Sequence, residues 1–138
     1  MTYLLDTNVI SELRKPERRA DPQVRAWVAR RAATDLYLSA ISVLEVEVGI
    51  LRLARHDPVA AGRLQRWLDG ELLDVFAGRI LAVDVPVVRR CARLHVPDPR
   101  PERDALIAAT ASVHGLTVVT RNVKDFEALE VPVVNPWS

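Results

Sequence analysis

The 138-residue chain has one cysteine, Cys91, so an internal disulfide and a multi-cysteine zinc site are both excluded. Glycine is scarce, with five residues, which excludes a collagen-like or low-complexity chain. No apolar run approaches the ~20 residues that span a bilayer. Asp6 and Asn8 interrupt the first apolar stretch almost at once, which is not the pattern of a secretory signal. Lysine is almost missing: among 19 basic residues only Lys15 and Lys124 are lysine, and the rest are arginine. An excess of either charge is missing too, since the formal net charge is +1. What is present is 49% hydrophobic residues, enough for a proper core. The expectation is a soluble, cytoplasmic chain forming a single domain over residues 1–138, with no membrane partner.

Short apolar runs alternate with helical stripes along the sequence. Tyr3-Leu4-Leu5 reads as a strand that meets Asp6-Thr7-Asn8, and Val9, Ile10 and Leu13 then fall at helical spacing. Leu36-Tyr37-Leu38 is a second strand, followed by a helix over Val43–Leu53. Pro58 opens another helix. Ile80–Val83 is a third strand, and Pro86 opens the helix after it. Asp104–His114 is helical and ends on Gly115; Leu116–Val119 and Val133-Val134 complete the strands. Strands alternating with helices predict an α/β fold, a mostly parallel central sheet with helices on both faces in three layers. In such folds the functional crevice lies at the carboxyl ends of the strands.

Oxygen ligands sit at those ends. Asp6 follows the first strand and Glu45 lies early in the helix after the second. Asp104 opens the helix before the fourth strand, and Asn122 with Asp125 follows that strand. Each has a local alternative. Asp6 can cap a helix, Ser42-Val43-Leu44-Glu45 fits a capping box, and Asp104 favours a helix dipole. Carboxylates converging on one crevice, however, raise each other's pKa, and a hard divalent cation relieves them. Mg²⁺ or Mn²⁺ fits an all-oxygen ligand set and activates water for attack on phosphorus. Thr7, Asn8, Ser39, Ser42 and Thr120 are suited to orienting such ligands.

Five segments in order and spacing then resemble PIN-domain toxin ribonucleases of the VapC/FitB type. They are Tyr3–Glu12, Leu38–Glu45, Asp104–Ala111, Thr120–Phe126 and Asn135-Pro136-Trp137, with Phe76–Leu81 similar to the FitB subgroup. The resemblance implies that Asp6, Glu45 and Asp104 form the acidic core, with Asp6 and Asp104 as main metal ligands and Glu45 completing the shell. Many relatives have Asp at the position of Asn122; here the carboxylate comes three residues later, at Asp125. One ion held well and a second weakly is the expectation. Thr120 and Arg121, with Thr7, Asn8 and Ser42, would position phosphate or ligands. The resemblance further implies Mg²⁺-dependent cleavage of RNA to a 5′-phosphate and a 3′-hydroxyl. It also implies a homodimer, inhibition by a VapB/FitA-like antitoxin, and operator DNA bound through that antitoxin. Arginines over 14–31 and 89–103 suit a phosphate backbone, and the 14–31 and 57–67 regions are candidate antitoxin surfaces.

Three other readings meet the same residues. A response-regulator phosphoacceptor would use Asp84 and Lys124, but Thr7 and Asn8 stand where it needs a second acid. A haloacid-dehalogenase phosphatase needs Asp-x-Asp, and position 8 is Asn. A PIN-like nucleic-acid-binding module with weak or no nuclease activity is the alternative within the same fold. His56, His95 and His114 match no metal spacing, and Cys91 reads as a small core residue.

Overall fold

A computed structural model describes residues Met1–Ser138. Five strands are laid down as β1 (Tyr3–Leu5), β2 (Leu36–Ser39), β3 (Ile80–Leu81), β4 (Thr117–Val119) and β5 (Val133–Val134). All pair in parallel, in the order β3-β2-β1-β4-β5. The chain therefore builds outward from β1 on one side and then crosses to the other. That reversal opens a crevice between β1 and β4 at their carboxyl ends.

Helices α1 (Thr7–Leu13), α2 (Pro22–Ala29), α3 (Ala40–Ala54) and α4 (Pro58–Trp67) precede β3. After α4 come a π-helical turn at Leu68–Leu72 and the short α5 (Leu73–Val75). Then follow α6 (Val85–Leu94), α7 (Glu102–His114) and α8 (Val123–Glu127). Three helices start on an aspartate with a proline in the first turn: Asp21 caps α2, Asp57 caps α4 and Asp84 caps α6. The carboxylate satisfies an orphan N–H, and proline sits where its missing donor costs nothing.

Side chains alternate across the sheet and so divide the core in two. Leu4 and Val118 face a cluster with Val87, Cys91, Ile107 and Phe126, while Leu5 and Val119 face one with Ile10, Val24, Leu38 and Leu68. The two clusters give the three-layer arrangement expected from the sequence. Cys91 is buried among apolar neighbours, as expected, and His95 forms the carboxyl cap of α6. No helix is long and apolar enough to cross a membrane.

Gly115 ends α7 in the left-handed region, at φ 67° and ψ 35°, and Leu116 N–H donates to Ala111 C=O across it at 2.8 Å. A Cβ here would meet nothing within 4 Å, so the only penalty of a side chain is backbone strain. Gly115→Ala is expected to cost about 1 kcal/mol. Urea unfolding checks this as a lower midpoint at unchanged slope.

Several boundaries differ from the sequence reading: β3 stops at Leu81 and not Val83, β4 starts at Thr117, and α7 starts at Glu102. The start of α3 is the difference that bears on the site. Helix α3 begins at Ala40, with the Ser39 hydroxyl accepting from Ile41 N–H at 3.0 Å. Ser42 thus lies inside the first turn, fully buried, and the capping box over Ser42–Glu45 does not form. The register of β2 against β3 pairs Ser39 with Leu81, which carries the strand to Ser39 and leaves that residue as the cap.

Candidate active site

Asp6 directly follows β1 and caps α1, accepting from Thr7 N–H at 2.8 Å. Its backbone N–H donates to Val119 C=O at 2.9 Å, which ties it to the end of β4. Directly after β4, the fully buried Thr120 donates its hydroxyl to the other Asp6 carboxylate oxygen at 2.7 Å. The same Thr120 oxygen accepts from Asn122 N–H at 3.0 Å and from Asn8 Nδ2 at 3.3 Å. One hydroxyl thus joins the ends of β1 and β4 and fixes the Asp6 carboxylate.

Glu45 reaches the same place from α3. The Thr7 hydroxyl donates to Glu45 Oε1 at 2.7 Å and lies 3.0 Å from Ser42 Oγ, whose hydrogen it can accept. Arg103 at the start of α7 stands 3.9 Å from the second Glu45 oxygen. Asp104 follows in the first turn of α7, half-buried. Together Asp6, Glu45 and Asp104 line a cleft of about 450 Å³ with Thr7, Asn8, Ser11, Glu12, Lys15, Arg121, Asn122 and Trp137.

Electrostatics single out two of these acids. Asp6 is only 5% exposed, and its pKa is pushed up to about 6. Burial is the largest cause; the Thr120 and Thr7 hydrogen bonds oppose it, and the charges of Asp104 and Glu45 add to it. Asp104 is also raised, by burial first and then by repulsion from Asp125 and Glu45. Glu12 moves the other way, chiefly through its hydrogen bond from Lys15 at 2.8 Å. The donor set fits a hard divalent cation: carboxylates, hydroxyls and amides, with no thiolate or imidazole among the lining residues. Two acids held above their usual pKa by burial and mutual repulsion are what such an ion would relieve. No three Asp, Glu, His or Cys side chains are drawn together as a ready chelate.

Of the residues singled out from sequence, Asp6, Thr7, Asn8, Glu45, Asp104, Arg121 and Asn122 line this cleft. Thr120 and Ser42 lie beneath its wall. Asp125 does not line it. That residue faces an adjoining groove with Arg121, Asn122, Val123, Lys124 and Asn135, and acts on Asp104 only through its charge. The arginine-rich stretch over 14–31 is divided. Arg31 folds back over Trp27 and Tyr3 and donates to Trp27 C=O at 2.8 Å, a packing role. Arg14 instead lines an apolar groove with Ile50, Leu53, Leu64 and Trp67, beside the acidic cleft. Sequence reasoning missed Glu12, Lys15 and Ser11. The signal was there: with Asn8 they fall at helical spacing on one face of α1 and the turn after it.

A family model described as "PIN domain" matches residues 3–131. The chain is 40% identical over 141 residues to "VapC ribonuclease Y4jK" of Sinorhizobium fredii, covering 97% of this chain and 96% of that protein. It is 41% identical over 140 residues to "Toxin FitB" of Neisseria gonorrhoeae, with 97% of each covered. Among solved structures, FitAB bound to an IR36 DNA fragment superposes with a TM-score of 0.89 at 37% identity, covering 99% of this chain and 96% of the other.

Proposed function

The chain belongs to the PIN-domain family, and from that premise we propose that it is the toxin of a type II toxin–antitoxin system, a divalent-metal-dependent endoribonuclease. The observation that carries this reading is the convergence of Asp6, Glu45 and Asp104, from three separate elements, on one cleft at the carboxyl end of the sheet. The ribonuclease and toxin relatives support it, each matched over nearly its whole length.

Asp6 and Asp104 would hold Mg²⁺, or Mn²⁺ in its place, and Glu45 would complete the oxygen set. An ion there supplies Lewis-acid polarisation of a phosphate oxygen and a water acidic enough to attack phosphorus. The protein's own groups do the rest. Thr120 fixes the Asp6 carboxylate by its 2.7 Å hydrogen bond, and Thr7 fixes Glu45. Arg121 and Lys15 at the cleft wall bind backbone phosphates, and the Asn122 amide oxygen replaces a carboxylate without its charge. With three carboxylates and an uncharged amide at position 122, the cleft would hold one ion well and a second weakly. Calorimetric titration of Mn²⁺ into the protein tests this; two equally tight sites would contradict it. The products are a 5′-phosphate and a 3′-hydroxyl.

We place the antitoxin on the apolar groove of Ile50, Leu53, Leu64 and Trp67. That groove shares Thr7, Ser11 and Glu45 with the acidic cleft, so a segment seated there reaches the acids directly. The antitoxin in turn would carry the complex to operator DNA, and the toxin would work as a cytoplasmic homodimer.

The assay is cleavage of RNA with Mg²⁺ or Mn²⁺ against the same reaction in chelator. Thr120→Val is expected to lower the rate about tenfold, the range seen when the group orienting a metal ligand is lost. It also removes an opposing influence on the raised Asp6 pKa, so in chelator the pH profile of thermal stability moves to higher pH. An unchanged profile would show that Thr120 does not act through Asp6.

A further inference from the structure

Trp137 is the only hydrophobic residue among the eleven that line the acidic cleft. It is half-buried: part of it packs against the core cluster around Leu5 and Val119, and part faces the cleft. Its backbone N–H donates to Asn135 Oδ1 at 2.9 Å, a turn that holds the backbone at this position. The exposed Arg121 guanidinium lies over the ring, 5.2 Å from its centroid. Arg121 and Asn122 are also walls of a second groove of about 410 Å³, lined further by Lys124, Asp125 and Asn135. Arg121 is therefore part of the ridge between the two hollows, and it lies over Trp137 on the side of the acidic cleft; Lys124 and Asp125 line the far side.

Such a ridge has no use in holding a metal ion, and a core plug does not need to face the cleft. A planar ring beneath a planar cation is instead suited to a nucleobase, whose faces stack on both aromatic and guanidinium planes. We propose that Arg121 and Trp137 form a stacking platform for the base next to the cleaved phosphate of single-stranded RNA, as the strand passes from the acidic cleft into the groove of Lys124 and Asn135. Duplex RNA does not present free base faces, so the platform favours unpaired segments. The inference rests on the ribonuclease reading above and adds a recognition subsite to it.

Steady-state kinetics on a single-stranded RNA with Mn²⁺ test it. Trp137→Leu is expected to raise KM about tenfold with kcat changed by less than about threefold, in line with stacking losses of this kind. Trp137→Phe restores most of the loss. Arg121→Ala lowers the salt slope by about one through the phosphate contact assigned to it above, whereas Trp137→Leu leaves that slope unchanged, which separates stacking from charge. The decisive comparison uses an RNA made abasic at the nucleotide beside the mapped cleavage site. The wild-type protein should lose the same factor on it, and Trp137→Leu should lose nothing more. An equal penalty for Trp137→Leu on intact and abasic RNA would mean the ring acts only in packing and would overturn the proposal. So would an unchanged KM. Wild-type cleavage, scored first, decides the functional reading separately: cleavage with an indifferent Trp137 sinks the subsite alone, and no cleavage or binding sinks both.

Discussion

Asp104→Asn is expected to lower RNA cleavage by about 10²–10³-fold while the fold survives, the loss typical of removing one group placed at developing charge. The substitution keeps the shape of the side chain. Nothing in the structure but burial and like charge acts on the Asp104 pKa, so the amide breaks no supporting hydrogen bond. Asp6→Asn should be at least as damaging to cleavage, but it is the less clean variant. Thr120 now donates to Asp6 and already accepts from Asn8 and Asn122. An amide nitrogen at position 6 would bring a third donor to that hydroxyl, so some structural cost accompanies the lost charge. Asp125→Asn is the matched control. It lies outside the cleft and touches Asp104 only by repulsion, so a change of about threefold at most is expected. Metal-dependent turnover of one labelled RNA by all three variants checks the ranking; an Asp125 effect equal to that of Asp104 would refute the placement of the site.

The metal-free protein is expected to lose stability as pH rises from about 4 to above 6. Asp6 has its pKa raised from 3.8 to about 6. Between those values the native state holds a proton that the unfolded chain has released. Unfolding then releases protons, and the stability falls with rising pH. A shift of this size on a nearly buried group amounts to about 3 kcal/mol, present in full below the unfolded value and lost once Asp6 ionises. Asp104 is raised too and adds in the same direction. Glu12, lowered by Lys15, has the opposite sign, but its contribution is lost only as pH falls through its own lowered pKa. The two windows are therefore separable. Thermal unfolding in chelator, scanned over pH, should show the decline, and Asp6→Asn should flatten it. Adding Mn²⁺ should raise the melting temperature more at pH 7.5 than at pH 5, because the ion binds the ionised acids. A flat profile in chelator would mean that Asp6 is not desolvated as described.

Much of this was legible in the sequence for a physical reason. Short apolar strands that stop at Asp6, Ser39 and Thr120 mark where a parallel sheet ends, and such ends hold the site in this class of fold. The three acids, Thr120 and Arg121 follow from that rule together with the family resemblance. Other features depend on tertiary contacts that no local pattern encodes. Ser39 and Ser42 are both competent caps, and only the pairing of Ser39 with Leu81 decides between them. Asp125 and Asn122 are three residues apart in one short helical segment, and only the fold sets Asn122 on the wall of the cleft and Asp125 in the neighbouring groove. Trp137 stood in a recognisable ending, yet its place under Arg121 arises from β5 returning beside β4. Arg31, one of many arginines in its stretch, is taken out of the running for phosphate by Trp27 and Tyr3.

The central claim is that Asp6, Glu45 and Asp104 form one metal-dependent RNA-cleaving centre. Its most direct test is the cleavage of an end-labelled single-stranded RNA by wild-type protein and by Asp104→Asn, purified side by side, with Mn²⁺ and with chelator. The account predicts products ending in 5′-phosphate from the wild-type protein with Mn²⁺, none from chelated samples, and about 10²–10³-fold less from Asp104→Asn. Equal cleavage by Asp104→Asn, or cleavage that persists in chelator, would contradict it.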